Sequence, residues 1–121
     1  MHQYVLEDLE VYQLAVEIAN EIWKDVGTWN SFAKYTLGEQ LTKAADSISF
    51  NISEGYGRYS HKENIHFCYI SRGSLFETIT GIKKALNRNL ISLVRFEYLF
   101  QKLNNLHLKL NAYIKHLKSV T

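Results

Sequence analysis

The sequence predicts an all-α protein, an antiparallel up-down-up-down four-helix bundle in a single domain, and three observations carry that prediction. Proline is absent, glycine occurs only six times and 46% of the 121 residues are apolar, a composition that suits long uninterrupted helices better than a turn-rich β protein. Apolar residues recur at alternating spacings of three and four over four stretches, about residues 9–26, 37–55, 61–87 and 93–118, the period of helix faces packed nearly parallel to their neighbours. The third stretch starts within about five residues of where the second stops, which forces those two helices antiparallel. A chain of this length buries a core without staples, and no linker, repeat or low-complexity segment divides it.

The first helix is expected to start at an Asp8 N-cap and stop at Gly27. Its seam reads Leu9, Tyr12, Val16, Ala19, Trp23 and Val26, widened by Val11, Ala15, Ile18 and Ile22, a stripe broad enough to touch more than one helix. Residues 27–35 break the period and read as a loop whose Trp29 and Phe32 plug one end of the bundle. Thr36 and Glu39 have capping-box spacing and open the second helix, whose inward set is Leu37, Leu41, Ala44, Ile48 and Ile52 before the stop at Gly55-Tyr56-Gly57.

Ser60 and Glu63 form a second capping box for the third helix. Its seam is Ile65, Cys68, Arg72, Leu75, Ile79, Ile82 and Leu86, apolar except at Arg72. Asn87-Arg88-Asn89 supplies a left-handed C-terminal cap, and Ser92 caps the fourth helix although Arg95 stands where a capping-box acid would. Phe96, Leu99, Leu103, Leu106, Leu110, Tyr113 and Leu117 then run seven heptad positions without a fault.

The single cysteine, Cys68, excludes an internal disulfide, and no run approaches the roughly twenty apolar residues of a membrane span. The N-terminus, MHQYVLEDLE, lacks a signal-peptide pattern. A soluble cytoplasmic protein with no membrane partner is expected. Net charge is only +2, but residues 1–26 hold six acids and one base, whereas residues 83–121 hold eight bases and one acid. The chain is acidic at its start and basic at its end.

No catalytic residue or cofactor is expected. Glu63-Asn64-Ile65-His66 has the Glu-x-x-His spacing of di-iron bundles, but no second copy exists and Glu63 serves as a cap, so no metal site is expected; a metal-binding bundle enzyme is a distant alternative. Cys68 falls on the core seam, and Gly55-x-Gly57 lacks the strand and lysine of a phosphate loop. Arg72 in an apolar seam needs a partner, and Glu54 near the end of the antiparallel second helix is the candidate for a structural ion pair; the alternative is a ligand-facing Arg72.

Arg95, Lys102, Lys109 and His116 recur every seven residues along the fourth helix, after Arg88 at the same spacing. Such a line can follow a phosphate backbone and release counterions. With Arg58, Lys62 and Lys118, the residues Arg95, Lys102 and Lys109 are the candidate binders of RNA or DNA. Alternatively the line lies over the core edge or pairs with the acidic first helix, and the protein is an oligomeric scaffold for protein contacts.

The motifs Gln40-Leu41-Thr42-Lys43-Ala44-Ala45, Ser47-Ile48, Asn51-Ile52-Ser53-Glu54-Gly55-Tyr56-Gly57-Arg58 and Arg72-Gly73-Ser74-Leu75-Phe76-Glu77, with the opening Leu6-Glu7-Asp8-Leu9-Glu10-Val11-Tyr12, resemble the signature of the four-helix-bundle proteins encoded in 23S rRNA intervening sequences, also called S23 ribosomal proteins. Thr42-Lys43 stands where that family commonly has two arginines, and Ser49 where it often has proline. The resemblance implies a homo-oligomer, expected to be a pentamer, with no enzymatic activity. It extends to the accessory protein of diversity-generating retroelements, which implies nucleic-acid binding and a nucleic-acid-processing protein as partner.

Overall fold

The computed structural model describes residues 5–121; the first four positions, part of the stretch read for a signal peptide, lie outside it. After a 3-10 turn at Leu6–Asp8 come α1 (Glu10–Gly27), a short α2 (Ser31–Ala33), a π turn (Lys34–Gly38), α3 (Glu39–Tyr56), α4 (His61–Asn87) and α5 (Leu93–Ser119). The four long helices pack in the cyclic order α1, α3, α4, α5, with the most extensive contact between α3 and α4. The all-α four-helix bundle expected from the sequence is the observed fold.

The start of α1 departs from expectation. Asp8 belongs to the 3-10 turn, Leu9 precedes the helix, and no side chain caps it. The inward stripe is Val11, Ala15, Ile18, Ala19, Ile22 and Val26, whereas Trp23 is 66% exposed. Two neighbouring apolar stripes compete on this helix. The one rich in small and β-branched residues fits against α3 and α5, and the one carrying Tyr12 and Trp23 is left at the flank.

Of the loop expected over residues 27–35, residues 31–35 are helical. Asn30 accepts a hydrogen bond from the Ala33 N–H at 3.0 Å and so caps the chain six residues before Thr36, the predicted cap of the Thr36–Glu39 pair. Thr36 lies inside the π turn with its hydroxyl donating to the Phe32 carbonyl at 2.6 Å. Trp29 is buried near Gly38 and Val26, but Phe32 is 80% exposed, so only one of the two expected plugs enters the core.

The Ser60 cap forms, its hydroxyl accepting from the Glu63 N–H at 3.2 Å. On α4 the buried stripe runs through Asn64, Cys68, Ser71, Leu75, Thr78, Ile82 and Ala85. The polar members are satisfied: the Ser71 hydroxyl donates to the Ile48 carbonyl at 2.8 Å, Thr78 to the Ser74 carbonyl at 2.8 Å, and Asn64 Nδ2 to the Tyr113 hydroxyl at 3.1 Å. Arg72, predicted on the seam, therefore sits one position off it, half-buried at the rim. At the end of α4, Asn89 has φ 59°, the Leu90 N–H reaches the Ala85 carbonyl at 2.8 Å and the Asn89 N–H reaches Leu86 at 3.1 Å, a Schellman cap of the predicted kind. Ser92 caps α5 by accepting from the Arg95 N–H at 3.0 Å, and Leu99, Leu103, Leu106, Leu110, Ile114 and Leu117 are buried along it.

Gly55 sets how closely α3 and α4 approach, and Gly81 makes room for the tip of the Leu41 side chain. A Cβ on Gly55 would stand 2.6 Å from Asn64 Oδ1, 2.9 Å from Phe67 Cβ and 3.0 Å from the Asn64 carbonyl oxygen; one on Gly81 would stand 2.6 Å from Leu41 Cδ1. Gly73, exposed on the same helix as Gly81, has nothing within 4 Å of its added Cβ. Gly55→Ala should therefore destabilise the protein by about 1–3 kcal/mol through forced separation of the helices, whereas Gly73→Ala should stabilise it by about 0.5–1 kcal/mol through reduced chain entropy. Urea denaturation midpoints of the two variants check this, and equal shifts would remove the close-approach argument.

Candidate nucleic-acid interface

The acidic first helix and the basic last helix meet side by side. Arg95 donates through Nε to Asp25 Oδ2 at 2.8 Å and Oδ1 at 3.0 Å, and through Nη2 to Glu21 Oε2 at 2.8 Å. One heptad along α5, Lys102 Nζ reaches Glu17 Oε1 at 2.9 Å, and one further heptad brings Lys109 Nζ within 3.2 Å of Glu10. Antiparallel packing makes the acids step backwards along α1 as the bases step forwards along α5, so a single register satisfies all three.

The titration of the ladder follows from these contacts. Hydrogen bonding from Arg95, only partly opposed by burial, holds the Glu21 carboxyl below its ordinary value. Burial works against the Arg95 charge, but the hydrogen bonds to Asp25 and Glu21 outweigh it and raise its pKa. The hydrogen bond to Glu17 raises that of Lys102. Three of the six predicted nucleic-acid binders, Arg95, Lys102 and Lys109, are thus neutralised within the chain, as the alternative reading of the cation line has it.

A fourth, Arg58, is also paired. Its Nη2 lies 2.8 Å from Glu54 Oε1 and its Nη1 3.8 Å from Glu63, while its guanidinium stands 4.8 Å from the Phe67 ring centroid. This corrects the expected Glu54–Arg72 ion pair. Glu54 answers the arginine four residues on in sequence, because that partner lies one helical turn away at the helix end, whereas Arg72 lies on the opposite flank of α4 against α5.

At that flank Arg72 Nη1 donates to Asn111 Oδ1 at 2.8 Å, and the guanidinium stands 4.9 Å from the centroid of Tyr69. Lys118 Nζ is 5.4 Å from the same centroid. Tyr69, Arg72, Asn111, Ile114, Lys115 and Lys118 line a surface groove of about 350 Å³. Among the described residues no carboxylate lies within ion-pair distance of Arg72, Lys115, Lys118 or Lys62, the last of these on the same side of α4 as Tyr69. Lys62 and Lys118 were predicted as binders. Tyr69 and Asn111 were not, although Asn111, Lys115 and Lys118 at steps of four and three mark one helix face.

Among the described residues no three His, Cys, Asp or Glu side chains gather to hold a metal, and burial pushes the Cys68 thiol up to about 11. No described helix is long and apolar enough to cross a membrane.

Comparison with known proteins agrees with the fold. A solved protein of unknown function from the S23 ribosomal protein family of Bacteroides thetaiotaomicron superposes with a TM-score of 0.78 at 20% sequence identity, over 87% of this chain and 98% of that one. No curated protein matches. The family model for 23S rRNA-intervening sequence proteins matches residues 7–112, and the chain belongs to that family.

Proposed function

We propose that this protein is a non-enzymatic, self-associating bundle that grips the phosphate backbone of RNA or DNA through the α4–α5 groove rather than through the heptad cations of α5. The observation that carries this reading is the division of the cations. Those facing α1 are matched to carboxylates, and those around Arg72 are not. A phosphate approaching Arg72, Lys115 and Lys118 displaces no internal ion pair, whereas one approaching Lys102 must compete with Glu17. A nucleic-acid-processing protein is the partner such an accessory factor would serve.

Self-association has its own observation. A groove between α1 and the start of α3 is lined by Trp23, Val26 and Tyr35, with Trp23 66% and Tyr35 71% exposed, and Phe50 is 70% exposed on α3. Large apolar groups gathered on one side of a small protein mark a contact surface. Asp46, half-buried on α3 with its pKa raised by burial, has no cation partner among the described residues. The assembly expected from the family resemblance is a pentamer.

Anisotropy titration with a structured RNA at several salt concentrations should show tight binding at low salt that weakens as salt rises, with log affinity falling by about 0.9 per contacted phosphate for each decade of salt. Lys115→Gln with Lys118→Gln should flatten that slope by about 1–2, while Lys102→Gln with Lys109→Gln should lower stability and leave the slope unchanged. No binding at low salt, or equal losses in the two double variants, would end the proposal; an assembled protein that ignores RNA would leave the scaffold reading.

Light scattering should give a solution mass five times that of the 14.1-kDa chain, and Trp23→Asp with Tyr35→Asp should reduce it. A monomeric mass for the unaltered chain would sink self-association.

A further inference from the structure

A site for phosphates alone needs only cations, yet here they are gathered round an aromatic ring. Tyr69 is 38% exposed, with Arg72 at 4.9 Å and Lys118 at 5.4 Å from its ring centroid. The hydrogen bond to Asn111 at 2.8 Å holds the guanidinium in place, and Arg72 keeps further N–H donors with no carboxylate beside them. Buried Ile114 adds an apolar side chain to a lining that is otherwise largely polar. Its volume of about 350 Å³ is on the scale of one small ligand unit rather than of a duplex.

Resting on the phosphate-binding reading above, we propose that this groove selects single-stranded nucleic acid. One unpaired base lies against the Tyr69–Arg72 platform, and the phosphates on either side of it meet Lys115 and Lys118. Every base has a face that can stack on an aromatic ring or a guanidinium plane, so the site prefers single strands without reading sequence. A duplex keeps its bases stacked internally and can offer this groove only its backbone. Lys118 exchanges a cation–π contact for a phosphate when the strand arrives, which leaves the exposed part of the Tyr69 ring to the base.

The test uses the full chain and four labelled probes: a short oligouridylate, an abasic phosphodiester strand of the same length, an RNA duplex of that length and polyglutamate. The oligouridylate should bind about tenfold tighter than the abasic strand, the size of one base–aromatic stack. Tyr69→Leu should abolish that difference and keep the salt slope; Tyr69→Phe should retain it. Equal binding of oligouridylate and abasic strand, or of oligouridylate and duplex, would overturn the inference while the phosphate reading stands. Polyglutamate binding as tightly as oligouridylate would overturn it in favour of an acidic protein partner, and failure of all four probes would take the phosphate reading down with it. Should Tyr69→Leu fail to fold by circular dichroism, the comparison of probes on the unaltered chain decides the matter alone.

Discussion

The constraint on which the bundle depends is the close approach of α3 and α4. Gly55 leaves no room for a methyl group against the Asn64 backbone and Phe67 Cβ, and Ser71 and Ser74 bond across the contact to the Ile48 carbonyl and the Ser47 hydroxyl. Hydroxyls that bond to the facing helix let backbones come near without an unsatisfied polar group, because each replaces the water it excludes. This contact also sets the rotation of α4. With Ser71 and Thr78 turned inward to meet α3, Arg72 is carried round towards α5, where it cannot reach Glu54.

The α1–α5 ladder fixes the second rotation. Because Arg95, Lys102 and Lys109 face the acids of α1, the stripe of Asn111, Lys115 and Lys118 faces α4. Neither helix alone makes the groove. The steric demand of α3 brings Arg72 and Tyr69 to its one wall, and the electrostatic demand of α1 brings the lysines to the other. The ladder pairs are partly solvated, so their worth lies more in choosing the face that α5 turns to α1 than in raw stability. The ladder repeats with the same seven-residue period as the leucines, so it opposes rotation of α5 and slips of less than a heptad.

How much of this was legible in the sequence follows from which interactions are local. The cap at Ser60, the left-handed Asn89 and the leucine stripe of α5 depend on residues within a turn or two, and each is where the pattern puts it. Position along α1 was not legible, since two apolar stripes of similar strength lie side by side and only the other helices decide between them. The helical start at Asn30 was hidden by aromatics that broke the period. Ser71 and Thr78 are missing from the apolar seam because they are polar, and their burial rests on carbonyl acceptors, one of them on another helix. The seven-residue recurrence of cations on α5 was visible, and so were the acids of α1; their pairing needed the register of two helices separated by two others in the chain.

The distribution of function over the surface follows from the cyclic order of the helices. In the order α1, α3, α4, α5 the edge between α1 and α3, with Trp23, Tyr35 and Phe50, lies opposite the edge between α4 and α5, with Tyr69, Arg72, Lys115 and Lys118. Copies joined through the first edge would keep the second facing outward. Each groove is small and holds few cations, so on the proposed reading a single one would bind weakly at physiological salt, where each contacted phosphate counts against affinity as salt rises. Several grooves on the proposed assembly would hold the rest of a strand at high effective concentration once one is engaged, and weak individual contacts would then add to a stable grip. A net charge of +2 would be no obstacle to such a grip, because four of the twelve acids, Glu10, Glu17, Glu21 and Asp25, are paired on α1, away from the groove.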